Sequence, residues 1–313
     1  MRRAVSSPDR RTARGGLYLG LVFVLGLAAM LLALLAGANA GANRADAKPS
    51  PSPTGSKADF ERARFANPTT INNRWLPLRP GTQRVYEGTA IPEGETKRAA
   101  RRVVSTTTDV GKRIAGVQTL VVVEKDYTAG QLGEAEIAFF AQDNAGNVWL
   151  LGEYPEEYED GKFADAPAWI TGQKGARAGV AMPANPRPGD PEYSQGFAPP
   201  SGGDFNDRAR VHKTGQRTCT PVKCYENVLV TEEFEPGAPG AFQLKYYAPG
   251  VGNVRVGWRG ANEEEKETLE LTSLKRLSPQ ALAKVRKEAL ALDKRAYKRS
   301  GEVYGKTQPA RPL

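Results

Sequence analysis

Five acids crowd between positions 153 and 160, namely Glu153, Glu156, Glu157, Glu159 and Asp160, and paired carboxylates are the equipment of acid–base glycoside chemistry. The adjoining Asp160-Gly161 is a turn dipeptide, so the cluster reads as a solvated hairpin tip. A second set, Asp190, Glu192, Asp204 and Asp207, lies in a Pro/Gly-rich stretch. A hydrolase built on either set needs two acids facing each other across a cleft at roughly 5 to 10 Å. The single histidine, His212, sits in Asp207-Arg208-Ala209-Arg210-Val211-His212-Lys213, where alternating charge indicates a strand with an exposed face. A triad would need a nucleophile and an orienting acid brought there by folding, and no Gly-x-Ser-x-Gly elbow is present, so His212 reads as an exposed structural histidine. Asp143-Asn144-Ala145-Gly146-Asn147 has the opening of a calcium loop, but Tyr154 stands where the closing glutamate belongs; the segment reads as a turn. No catalytic residue, metal ligand set or cofactor is assigned, and the chain reads as a non-enzyme.

Cys219 and Cys224 are the only thiols. A metal site would need two more ligands, which one histidine cannot supply, so the pair is expected as a disulfide closing a hairpin. For so short a loop the chain-entropy gain is about 2 kcal/mol.

The stretch from Met182 to Asp207 holds six prolines and four glycines, yet it also carries Tyr193, Phe197 and Phe205. Structureless connections of this length are usually functional or disordered, and three aromatics argue for order. Met182, Tyr193, Phe197 and Phe205 are therefore the candidate binding loop, closing over one mouth or face of a sheet.

The elements that position these residues begin with an address. Residues 15–38 form an uncharged apolar run preceded by Arg2, Arg3, Arg10, Arg11 and Arg14. As a helix it reaches ~36 Å, more than a ~30 Å hydrocarbon core. It reads as a retained single-pass anchor with the N-terminus in the cytoplasm, or as a signal peptide cut after Ala40 in Ala38-Asn39-Ala40. Both place the rest of the chain outside the cytoplasm. Residues 41–64, with Pro49, Pro51 and Pro53 among serines, read as a disordered linker.

The net charge of +9 divides unevenly. Residues 1–40 contribute +4 and residues 278–313 contribute +6, leaving −1 for the body. A basic stripe through the domain is missing, which argues against a nucleic-acid partner. The basic C-terminal end suits either a solvated helix face or an anionic lipid or cell-wall surface.

The body, 65–276, reads as β throughout: runs such as 117–123 are rich in β-branched residues, and turn formers such as Ala129-Gly130 and Pro249-Gly250 separate them. About eleven short strands without intervening helices predict a curved antiparallel sheet, barrel-like or two-layered. Residues 277–313 form a basic amphipathic helix and tail. Ser278 is its N-cap and Pro279 its first residue; Leu282, Val285, Ala289, Leu292 and Ala296 make one apolar stripe, and Gly301 ends it.

Several segments share a pattern: Phe65-Ala66-Asn67-Pro68, Trp75-Leu76-Pro77-Leu78-Arg79-Pro80-Gly81-Thr82, Val85-Tyr86-Glu87-Gly88, Ala141-Gln142-Asp143 with Gly146-Asn147-Val148-Trp149, Glu157-Tyr158-Glu159-Asp160-Gly161-Lys162, Met182-Pro183, and Tyr247-Ala248-Pro249-Gly250-Val251-Gly252 followed by Val254. Together they resemble a broad family of secreted or membrane-tethered β-rich bacterial proteins of unknown function. The last segment is also loosely similar to lipoprotein-carrier-like envelope folds. The resemblance implies an extracytoplasmic β domain and brings no activity with it. The expected function is a non-catalytic envelope module binding a lipid, glycan or protein partner; a carboxylate hydrolase or a purely structural spacer is the alternative.

Overall fold

The computed structural model describes residues 53–92 and 95–313. The expected membrane segment, the cleavage site after Ala40 and residues 41–52 of the expected linker lie outside these. Among the described residues no helix is long and apolar enough to cross a membrane.

A short helix, α1 (Lys57–Arg62), leads into five long antiparallel strands: β1 (Thr82–Ala90), β2 (Ala99–Ile114), β3 (Val117–Thr128), β4 (Gln131–Gln142) and β5 (Val148–Glu159). Short pieces follow, β6 (Lys162–Phe163), β7 (Trp169–Ile170), β8 (Arg177–Met182), β9 (Tyr193–Ser194) and β10 (Gly196–Phe197). The second run of strands is β11 (Arg208–Cys219), β12 (Cys224–Phe234), β13 (Phe242–Ala248), β14 (Gly252–Arg259) and β15 (Thr268–Arg276). The chain ends in α2 (Pro279–Arg299), α3 (Gly301–Tyr304) and β16 (Arg311–Pro312). The β2–β3 hairpin turns on Ala115 and Gly116, with φ of 46° and 83°, the left-handed pair that matches strand twist.

The sixteen strands join one antiparallel sheet, thirteen of them in the order β10-β8-β5-β4-β3-β2-β1-β15-β14-β13-β12-β11-β9, with β6 and β7 paired to β5 and β16 to β2 off that path. Its two outer members, β10 and β9, are consecutive in the chain and separated only by Gln195. Tyr193 and Ser194 pair with β11 while Gly196 and Phe197 pair with β8. One short segment thus spans both edges, and the sheet is a nearly closed barrel whose exposed-edge problem is largely removed.

Helix α2 lies against β2–β5 on the outside of this barrel. Ser278 Oγ accepts a hydrogen bond from Ala281 N, and Ala289, Leu292 and Ala296 are buried. They meet Val121, Val123, Ile137 and Phe139 in one apolar cluster. Phe60 of α1 joins the same cluster, its ring 5.4 Å from Trp149. Residues 53–64, expected as part of a disordered linker, are therefore ordered. Ser56 and Asp59 form a reciprocal capping box at the start of α1, and Thr54 O accepts from Ser194 N.

Candidate functional site

The inner face of the barrel is where the sequence and the structure diverge. Because Val121, Val123, Ile137 and Phe139 point outward under α2, the alternate residues of the same strands point inward, and many of those are acids. The register sets Glu124 opposite Glu136, Asp126 opposite Glu134, Glu134 opposite Glu157 and Ala138 opposite Glu153. Like charges directly opposed across a sheet repel, and here they are also cut off from water. Glu153, Glu156 and Glu157 are 1%, 0% and 4% exposed, so the expected solvated hairpin tip is corrected. They belong to the body of β5, and only Glu159 and Asp160 reach the turn.

Burial dominates the titration of this interior. It pushes Glu136 well above the usual carboxylate range, and the neighbouring Glu153, Glu134 and Glu124 charges push the same way. Glu124 is raised by burial against the opposing charge of Lys245. Glu153 is raised by burial although Trp169 Nε1 donates to its Oε2 at 2.9 Å. Glu233 is raised likewise; Gln195 Nε2 donates to it at 3.3 Å and Lys245 Nζ stands 3.9 Å away. Such groups are held toward their neutral, proton-donating form. Near the other end of the strands, Arg101 is bracketed by Asp126 and Glu267, its Nε 3.0 Å from Asp126 Oδ2 and 3.2 Å from Glu267 Oε1. Among the described residues no group of three or more His, Cys, Asp or Glu is placed to hold a metal ion.

One mouth of the barrel is plugged by residues 66–80. Gln142 Oε1 accepts from Asn72 N and Asn73 N at 2.9 and 2.8 Å. Asn73 Nδ2 donates to Gly146 O and Pro183 O, Gly250 N donates to Arg74 O, and Ile71 bridges to Leu78. Segments that are far apart in sequence, around residues 71–78, 142–147, 183 and 250, thus converge on this plug. Asp143 is spent within its own turn, accepting from Asn147 N, Asn147 Nδ2 and Trp149 Nε1.

Beneath the plug lies a cavity of about 90 Å³. Leu76, Leu78, Val122 and Phe140 supply apolar walls, while Arg84, Glu124 and Lys245 also face it. Arg84 is 6% exposed; its Nη2 donates to Pro77 O at 3.0 Å and Val251 O at 2.7 Å. Its Nε and the Oε1 of Glu124 are buried with no hydrogen-bond partner among the described residues. The guanidinium rests on Gly252 (φ 103°), where an added Cβ would come within 3.2 Å of it. None of Arg84, Glu124, Glu136 or Lys245 stood out in the sequence, and the one available signal was charge recurring at every second position of β-branched strands with no turn nearby.

No family model matches this chain. No curated protein matches it either. Two solved structures are similar to it: one from Bacteroides fragilis, described as exported and of YmcC-like fold, at 13% identity and TM-score 0.38, and one from Parabacteroides distasonis, described as a lipoprotein, at 12% and 0.35. Each covers 65% of this chain and 99% of its own.

The candidate loop is ordered, and Met182 and Phe205 pack with Val122 and Phe140 in one apolar cluster. Tyr193 sits in the closing segment, and Phe205 stacks on Trp169 with ring centres 4.8 Å apart. Met182, Tyr193 and Phe205 are all buried. Phe197 is half-buried under the Arg177 guanidinium, 4.2 Å from its ring centre. The loop acids do not gather: Asp190 caps Arg187 N, Glu192 pairs with Arg208 at the surface, and Asp207 is buried beside the closing segment. Cys219 and Cys224 are joined as a disulfide. His212 Nδ1 lies 2.7 Å from Glu232, on the outer face with Arg210 and Arg259.

Proposed function

We propose that this chain is a membrane-tethered, extracytoplasmic and non-catalytic binding module that holds the anionic end of a small amphiphile beneath the plug of its barrel. The observation that carries the reading is the cavity under Leu76 and Leu78, apolar at its walls and supplied with buried donors at its floor. Arg84 offers an unused Nε–H, and a guanidinium suits a carboxylate or phosphate oxygen. Glu124, held toward its neutral form by burial, offers an O–H to the same oxygen. At about 90 Å³ the cavity is smaller than the ~300 to 1,000 Å³ of drug-sized pockets. It takes an end group, and the rest of the ligand runs out between plug and rim. A carboxylate hydrolase is less well supported, because Glu136 and Glu153 are sealed from solvent at 3% and 1% exposure. The extracytoplasmic setting is supported by the arginine-flanked apolar run at 15–38 and by the single disulfide.

Native mass spectrometry of the full chain extracted from its own membranes tests this. A bound small acid or phosphate-bearing amphiphile is expected, and Leu76→Trp, which fills the cavity from the half-exposed side of the plug, should abolish it while leaving the fold intact by circular dichroism. Protein mass alone in the unaltered chain would overturn the reading.

A further inference from the structure

Helix α2 sorts its cations by side. Arg286 reaches in to Asp109, and Arg295 and Arg299 reach in to Glu156. Lys284, Lys287, Lys294 and Lys298 are all exposed, and at ~100° per residue they fall within roughly 80° of arc on the side away from the sheet. Among the described residues none of these four is ion-paired, and Glu288, the nearest acid on the helix, is held by Lys125. The guanidiniums, with fixed forks, are used for structure; the ammoniums, as mobile point charges, face outward.

A second, independent observation concerns where the chain enters. Helix α1 packs into the same outer cluster as α2, through Phe60 and Ala63. Only residues 39–52 separate the apolar run from the described chain, and fourteen residues span at most about 50 Å. A barrel tethered there stays within about 50 Å of the bilayer, a span over which α2 can reach the surface.

We infer that the lysine stripe Lys284, Lys287, Lys294 and Lys298 is a docking surface for anionic lipid headgroups of the membrane that anchors the chain. This rests on the tethered reading given above. Charge complementarity favours the contact, and the tether selects the bilayer over a soluble polyanion as its occupant. The contact is electrostatic and is screened by salt.

The test uses the full chain in nanodiscs of phosphatidylcholine alone or of phosphatidylcholine with phosphatidylglycerol, footprinted by lysine acylation and mass spectrometry. In the anionic discs, labelling of the four lysines is expected to fall roughly fivefold at each contact and to recover in high salt. Lys97 and Lys223, exposed at hairpin ends, should label alike in both discs. Equal labelling of the stripe in both disc types would overturn the lipid surface while leaving the tether standing. A chain that does not copurify with the discs would overturn the tether, and the docking surface with it. Protection by an added soluble teichoic-acid-type polymer but by neither disc would assign the stripe to that polymer and overturn the inference.

Discussion

Lys112 Nζ stands 2.9 Å from Asp293 Oδ1 with both side chains closed to solvent, and this pair ties a strand to the C-terminal helix across 181 residues of chain. The ammonium also donates to Tyr297 OH at 3.0 Å and to Gln308 O at 2.7 Å. Asp293 Oδ2 in turn accepts from Ala310 N, so helix, tail and sheet share one ionic hub. Removing one partner strands the other in the interior. Lys112→Met is expected to cost about 3 to 5 kcal/mol in urea unfolding, and adding Asp293→Leu should recover a large part of that. A double variant no more stable than the single would show that the hub contributes through packing alone.

The Cys219–Cys224 bridge closes the tip of the β11–β12 hairpin, where both cysteines are exposed. Its loop is short, so replacing both by serine should lower stability by only about 2 kcal/mol, seen as a modest fall in Tm with the far-ultraviolet spectrum unchanged. Loss of folding in the double variant would mean that the bridge holds more than its own hairpin.

The helix and turns were legible because their signals are local. Ser278-Pro279 starts α2, Ala129-Gly130 and Asp160-Gly161 take left-handed turns, and no distant contact is needed to read them. The acid-lined interior was not legible for a definite physical reason. Period-two alternation of Val121, Val123, Ile137 and Phe139 with Glu124, Glu134 and Glu136 says that the two faces differ, and polar faces usually meet water. Here α2 covers the apolar face and curvature turns the acids inward, a fact carried by contacts between β2–β5 and residues more than a hundred positions away. Closure was illegible likewise: Tyr193 and Phe205 announced order in the 182–207 segment, but nothing local told that this segment would span the seam.

Glu267 gives the interior a pH signature. Burial pushes its carboxyl up to about 8, with Arg101 and Lys245 opposing. A folded-state value above the unfolded one means the folded form binds the proton more tightly, so this stabilisation is complete below about 4.5 and lost as pH rises through about 8. Glu156 has the opposite sign: burial raises it, but hydrogen bonds from Arg295, Tyr154 and Tyr158 outweigh that and hold it low. Its contribution is lost in acid. Thermal unfolding across this range should show Tm falling from about pH 5 to pH 9, and Glu267→Gln should make that alkaline limb shallower, leaving the share carried by the other raised acids Glu124, Glu136, Glu153 and Glu233, while sparing the acid limb. A limb unchanged by the substitution would place the titrating group elsewhere.

The seam of the barrel depends on a missing side chain. A Cβ at Gly179 would stand 2.1 Å from Gly196 N and 2.2 Å from Gln195 C, backbone atoms of the segment that links the two edges. That segment cannot step back, because Gln195 N donates to Asp207 O and Ser194 N to Thr54 O. Gly179→Ala should therefore cost about 3 kcal/mol or more by forced repacking, and the damage should be local, with hydrogen exchange accelerating first at Ser194 and Gln195. Gly189→Ala is the matched control. Its φ of 89° strains any side chain, yet nothing lies within 4 Å of the new Cβ, so only the left-handed backbone cost of about 1 to 2 kcal/mol applies. Equal losses in the two variants, or exchange accelerating evenly over the sheet, would show that closure through residues 193–197 is not what holds the barrel shut.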